Sequence, residues 1–221
     1  MINLYNMDCM EGMKDYPDNH FELAIVDPPY GIGESCGKNI KRTGGLAQAK
    51  DYGYKEWDTS SPNIIYFSQL ERVSKQQIIW GANHFIEQFP LKMANSSCWI
   101  VWDKVNYGND FADCELAHTS FKSAVRQFTF QWNGMLQDDM KNKEFRIHPT
   151  QKPVKLYEWL LTNYAKEGDK ILDTHLGSGS IALACHNMGF SLDGYEIDED
   201  YFKAGKARLE EHQKQQQLFI G

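Results

Sequence analysis

Hydrophobic positions in this chain gather into short continuous runs, separated by polar or glycine-rich stretches. Ile2-Asn3-Leu4-Tyr5 opens with one, and Phe21 to Val26 forms a stronger one. Apolar runs of this length bounded by turn residues predict strands buried on both faces, as in a parallel sheet. The second run stops at Asp27-Pro28-Pro29-Tyr30, since two prolines cannot continue a central strand. Gln77 to Trp80, Cys98 to Trp102 and Phe128 to Trp132 predict further strands, which would put Trp80, Trp99 and Trp102 in the core. Ser68 to Ser74 has helical character, and Glu115 to Phe121 fits a strand or a helix. From Val154 to Ala165 the spacing of Leu156, Trp159, Leu160 and Tyr164 predicts a helix, with Pro153 suited to its first turn.

The final third alternates cleanly. Lys170 to Asp173 reads as a strand, Gly177 to Gly179 as a turn, Ser180 to Met188 as a helix, Ser191 to Glu196 as a strand, and Glu199 to Gln213 as a long charged helix. Strand, helix, strand, helix in succession implies parallel strands joined by crossovers, hence a doubly wound α/β sheet. Two stretches interrupt this order. Residues 31–62 carry Gly31, Gly33, Gly37, Gly44, Gly45 and Gly53 without a clean period, and residues 133–147 are polar. At 221 residues the chain is expected to form one domain, residues 1–221, with these two stretches as insertions.

Composition narrows the class. A hydrophobic content of 42% with 13% aromatics indicates a folded globule. Cys9, Cys36, Cys98, Cys114 and Cys185 are odd in number and scattered, with no Cys-x-x-Cys pair, so they read as reduced thiols and not as a metal site. No run of about 18 apolar residues could span a bilayer, and a soluble, cytoplasmic protein without a membrane partner is expected. The net charge of −7 argues against a nucleic-acid partner, but its distribution does not. Gly31 to Lys55 holds five basic against two acidic residues, and Lys141 to Lys155 five against one. Two local basic segments in an acidic protein can share one binding face.

Two constellations carry chemistry. At Asp173-Thr174-His175-Leu176-Gly177-Ser178-Gly179-Ser180 a strand delivers its carboxyl end to a glycine-rich turn that opens a helix. Ligands bind outside the carboxyl ends of parallel strands, where glycines allow close backbone approach. Glu196, 17 residues after Gly179 at the end of the next strand, can accept from both ribose hydroxyls of a nucleoside cofactor. Without a third helix-opening glycine or a phosphate-binding lysine, a nucleoside fits better than a dinucleotide or triphosphate. The other constellation is Asp27 to Tyr30, which presents a carboxylate, backbone carbonyls and an aromatic ring together. Such a set suits a planar substrate with an amine: the ring stacks, and two acceptors orient the amine toward an electrophile.

With these motifs the sequence resembles the β-class DNA amino-methyltransferases, which modify adenine N6 or cytosine N4, over nearly its whole length. Asp27 to Tyr30 matches their catalytic motif, His148-Pro149-Thr150-Gln151-Lys152-Pro153 a cofactor motif ahead of a helix, and Asp173 to Ser180 their glycine-rich cofactor turn. The catalytic motif precedes the cofactor turn, a permuted order that distinguishes this class from related RNA and protein enzymes. The resemblance implies a Rossmann-like, mostly parallel seven-stranded sheet and S-adenosylmethionine as methyl donor, with no metal. It places Asp8 near the cofactor's adenine, Glu196 on its ribose, and Thr150, Lys152 and Asp173 near its methionine portion, with Gly177, Ser178 and Gly179 forming the turn. Asp27, Pro28, Pro29 and Tyr30 would act on a base flipped from double-stranded DNA. Adenine N6 is expected over cytosine N4 because Asp-Pro-Pro-Tyr resembles the adenine enzymes more; an RNA amino-methyltransferase or an inactive DNA-binding protein are the further alternatives. Where the family commonly has Pro-Phe, this chain has Thr174-His175, and His175 is expected to serve packing. Lys38, Lys41, Arg42, Lys50, Lys141 and Lys143 are the expected DNA contacts, and Trp57, Asn63, Asn83 and Asn106 candidate base readers. Relatives often dimerise, so a homodimer is a compatible assembly.

Overall fold

A computed structural model describes residues 1–33, 55, 58–108, 112–133 and 136–220. In chain order the elements are β1 (Ile2–Tyr5), α1 (Cys9–Lys14), β2 (Phe21–Val26), α2 (Ile64–Val73), β3 (Ser74–Trp80), two 3-10 turns (Ala82–His84 and Ile86–Gln88) and α3 (Leu91–Ala94). Then come β4 (Trp99–Asp103), β5 (Cys114–Thr119), β6 (Arg126–Thr129), β7 (Trp132–Asn133), β8 (Leu136–Gln137), α4 (Val154–Tyr164), β9 (Lys170–Asp173), α5 (Ser180–Met188), β10 (Ser191–Tyr195) and α6 (Glu199–Ile220). The main sheet runs β1-β10-β9-β2-β3-β5-β4-β6, and β7 and β8 form a separate ribbon. Eight strands replace the seven expected. The addition is β5, from the segment that fits a strand or a helix, while the strand expected over Phe128 to Trp132 forms earlier, as the mostly exposed edge strand β6.

The chain divides into two compact units, Met1–Asp27 with Gln69–Ile78 and Arg146–Gly221, and Pro28–Ser68 with Ile79–Phe145. In the first, β1, β10, β9 and β2 pair parallel throughout, with Ile2 opposite Leu192, Leu192 opposite Ile171 and Leu23 opposite Ile171. Leu23, Ile25, Ile171, Leu172 and Leu192 are fully buried there, together with Leu156 and Leu160 of α4 and Ile181 of α5. Removing these side chains from water stabilises by roughly 1.5–3 kcal/mol each. Asp8 caps α1 by accepting from the Met10 N–H at 2.8 Å. A Cβ on Gly12 of α1 would lie 2.2 Å from the Tyr195 ring, so only glycine lets the helix settle on that tyrosine. Arg72 donates to the Met13 and Tyr16 carbonyls, at 2.7 Å each, and closes the end of α1.

In the second unit β4 pairs antiparallel with β5 and parallel with β6. Trp80 and Trp102 are buried and meet edge to face, and Trp102 donates to the Phe130 carbonyl at 3.1 Å. Trp99 is only half-buried, so two of the three expected core tryptophans are core. The segment that fits a strand or a helix is strand β5, with His118 and Thr119 buried. The polar stretch 133–147 is not all loop, since it contains β8 and the end of β7. Among the described residues no helix is long and apolar enough to cross a membrane.

Candidate active site

The first unit brings its predicted residues to the carboxyl ends of parallel strands. After β9, the Leu176 N–H donates to the Tyr195 carbonyl at 2.8 Å, which docks the glycine turn onto β10. Gly177 and Gly179 take positive φ, 51° and 72°, a conformation that disfavours side chains with a Cβ. Glu196 follows β10. Its Oε2 accepts from the Gly177 N–H and its Oε1 from the Asp198 N–H, both at 2.8 Å. Burial raises the Glu196 pKa, and the two N–H groups oppose that rise. The two carboxylate oxygens offer about four acceptor sites between them, more than these N–H groups use, which leaves acceptor capacity for a ligand hydroxyl.

Asp173 is buried at the end of β9, with Oδ1 accepting from the His175 N–H at 3.0 Å. Burial pushes its carboxyl up to about 8; Asp27 and Glu196 add to the rise, while the His175 N–H and Lys152 oppose it. Lys152 reaches in from the segment before α4 with only 2% of its side chain exposed, and its Nζ stands 2.5 Å from Asp27 Oδ2. Three carboxyl groups, Asp173 among them in its protonated form, and one ammonium therefore share a poorly solvated site. A cationic ligand group would rebalance that charge.

The His148 motif is built around its own imidazole. The Thr150 N–H lies 3.3 Å from His148 Nδ1 and the Thr150 hydroxyl 3.1 Å, and the ring packs against Tyr201 at 4.2 Å between centroids. Burial, with Lys152 adding, pushes His148 down to about 3, so the ring is neutral and serves as an acceptor. The opposite side of the glycine turn rests on α6. Arg208 donates to the Ser178 carbonyl at 3.0 Å and the Ser180 hydroxyl at 2.9 Å, and a Cβ on Gly179 would lie 3.3 Å from the Gly205 carbonyl oxygen. Sequence reasoning included His148 in the cofactor motif without a role of its own, and missed Tyr201, Gly205 and Arg208 as supports. Gly205 carried a signal, because a glycine inside a charged helix costs about 1 kcal/mol against alanine and so suggests a close approach. His175 faces its neighbour Thr174, Nδ1 to Oγ1 at 2.9 Å, and burial pushes it down to about 4. That arrangement suits packing. Asp8 stays exposed at the start of α1.

In the second unit Tyr30 stacks on His84, with centroids 5.0 Å apart and planes at 15°. The Gly31 N–H donates to Asp58 Oδ1 and the Gly33 N–H to the Asp58 carbonyl, both at 2.9 Å. Asn63, a candidate base reader, instead accepts from the Ile65 and Tyr66 N–H groups at the start of α2. Asn83 is exposed and Asn106 buried. Lys141 is exposed and Lys143 half-buried, while Lys38, Lys41, Arg42, Lys50 and Trp57 lie outside the described residues.

A family model described as DNA methylase matches residues 96–207. The Type II methyltransferase M.HpaI of Haemophilus parainfluenzae is 39% identical over 92% of this chain and 72% of its own length. Among solved structures, an M1.HpyAVI–SAM complex is similar in fold, with a TM-score of 0.58 and 21% identity, over 95% of this chain and all of that one. PvuII DNA methyltransferase, cytosine-N4-specific, is similar with a TM-score of 0.55 and 14% identity, over 93% of this chain and 85% of that one.

Proposed function

The chain belongs to the DNA methylase family, and on that premise we propose that it methylates the exocyclic N6 amine of an adenine flipped out of duplex DNA. The observation that carries this reading is the contact of Lys152 with Asp27, which joins the expected cofactor motif to the expected catalytic motif in one buried site. S-adenosylmethionine fits the donor set: Glu196 keeps acceptor sites for ribose hydroxyls, Asp173 is an acid that a cation would ionise, and Lys152 is a buried ammonium for a carboxylate. When bound, it supplies an electrophilic methyl on a positively charged sulfur.

The chain's own residues then need to orient more than to activate. Asp27 and the Pro28 carbonyl would accept hydrogen bonds from the two amine hydrogens, turning the nitrogen lone pair toward the methyl, and the proton that the methylated nitrogen sheds would leave by way of the Asp27 carboxylate to solvent. Tyr30 stacks on the extruded base and offsets part of its unstacking cost. Burial of Asp173 and Lys152 keeps water from the site, which would favour a transfer that disperses charge. Lys141 and Lys143 lie in the segment assigned to DNA contact, where phosphates would attract them. Adenine is preferred to cytosine on the tetrapeptide Asp-Pro-Pro-Tyr.

The test is transfer of labelled methyl from S-adenosylmethionine to mixed-sequence duplex DNA, with nucleoside mass spectrometry, comparing wild type and Asp27→Ala. N6-methyldeoxyadenosine formed by the wild type alone is the expected result. N4-methyldeoxycytidine would change the base and keep the chemistry. Label entering RNA and not DNA, or no label despite cofactor binding, would overturn the proposal.

A further inference from the structure

The turn that follows β3 is built around the Tyr30 ring. Gly81 has φ +70°, and a Cβ placed on it would lie 2.1 Å from Tyr30 Cε1, 2.4 Å from Cζ and 2.5 Å from Cδ1. Near-equal distances to the two ring neighbours of Cε1 put that point over the ring face, since a point beyond the edge would be much farther from both. The Gly81 backbone therefore lies against the face of Tyr30. Three residues later the His84 imidazole stacks on the same ring, nearly parallel at 5.0 Å.

The backbone holding these groups is fixed on both sides. The Gly81 N–H donates to the Leu116 carbonyl of β5, and the Gly81 carbonyl accepts from the His84 N–H, both at 2.9 Å. Phe85 is 1% exposed, stacks on Phe67 at 5.3 Å and packs against Phe89. His84 itself is exposed. An exposed imidazole stacked on a half-buried tyrosine contributes little to the core, while it restricts how far the ring can tilt or rotate.

We infer that His84 is a positioning residue for methyl transfer, acting through Tyr30 by holding the ring in the plane on which the flipped base stacks. This rests on the proposed role of Tyr30 as the base-stacking ring. Imidazole shares its flat aromatic face with phenyl, so the requirement is for the aromatic plane and not for a titrating nitrogen.

The test is a double-substitution cycle on Tyr30→Ala and His84→Ala, read as the single-turnover methyl-transfer rate on duplex DNA with saturating cofactor. His84→Ala is expected to slow transfer by about 3- to 10-fold, the range of one aromatic pair. Its cofactor affinity and melting temperature should match the wild type. His84→Phe should restore the rate with an unchanged pH profile. Because His84 acts through the ring, adding His84→Ala to Tyr30→Ala should cost nothing more. Additive losses, an unchanged rate in His84→Ala, or a His84→Phe variant as slow as His84→Ala would each overturn the inference. Full activity in Tyr30→Ala would instead remove the stacking role on which it rests.

Discussion

Lys152 Nζ lies 2.5 Å from Asp27 Oδ2, so one part-buried ion pair joins residues 125 positions apart in the chain. In the proposed reaction each group has a second duty, Lys152 toward the cofactor carboxylate and Asp27 toward the base amine. Lys152→Met keeps most of the stem and removes the charge. A hydrogen bond to a charged group contributes about 1.5–3 kcal/mol, so cofactor affinity is expected to fall roughly 10- to 100-fold. Asp27→Asn should bind cofactor nearly as well yet slow single-turnover transfer by about 100-fold or more. Isothermal titration and rapid quench separate the two effects; unchanged cofactor affinity in Lys152→Met would confine that residue to supporting Asp27.

Glu196→Gln is predicted to weaken cofactor binding about 10- to 100-fold while leaving DNA binding intact. The amide replaces one acceptor by a donor, yet both positions face N–H groups, of Gly177 and Asp198. Equilibrium dialysis with labelled cofactor and a DNA mobility shift provide the two readouts. Equal loss in both would indicate unfolding of the turn.

The buried acid and the buried imidazoles pull stability in opposite directions with pH. Asp173 has its pKa raised from 3.8 to about 8, so its contribution is complete below about pH 4 and declines as the pH rises to about 8. His148 and His175 are lowered from 6.5 to about 3 and about 4, so their contribution is complete above pH 6.5 and is lost as the pH falls toward those values. In Asp173→Asn the first effect disappears. The melting temperature of that variant relative to wild type, both without cofactor, should therefore climb between pH 5 and pH 8. A constant difference across that range would refute the elevated acid.

Much of the first unit was legible because its signals are local. The buried runs at Phe21 to Val26 and Lys170 to Asp173, and the glycine turn before Ser180, each declare themselves within a few residues. What escaped depends on distant partners. The turn is held by Gly205 and Arg208 from a helix whose sequence reads as solvent-exposed charge. Strand β5 was ambiguous because His118 and Thr119 are polar yet buried, and the Thr119 hydroxyl donates to the distant Cys98 carbonyl at 2.6 Å. The Tyr30 stack with His84 links residues 54 positions apart, outside the reach of periodicity.

Gly205→Ala tests how closely the turn is fitted. The added Cβ would lie 3.3 Å from the Gly177 carbonyl oxygen and 3.5 Å from the Gly179 nitrogen, so the turn must give by a few tenths of an ångström. Alanine favours the helix by about 1 kcal/mol, which should hold or raise the melting temperature. Cofactor affinity is nevertheless expected to drop several-fold. A variant that is both more stable and equally tight-binding would show that the turn tolerates the displacement.

The parallel pairing of β1 with β10 also bears on how the protein is made. Ile2 to Tyr5 find their hydrogen-bond partners at Leu192 to Tyr195, and between them the chain builds an entire second unit. During synthesis at about 5–20 residues per second, the first strand waits roughly ten seconds or more for β10, its one neighbour in the sheet, with both edges unpaired. Closing so long a loop is an entropic barrier that slows folding, and the interval exposes a strand edge to other chains. Nascent chains halted before residue 191 should therefore depend on chaperones and be quickly degraded by added protease, with resistance in the first unit arriving only as β10 clears the ribosome.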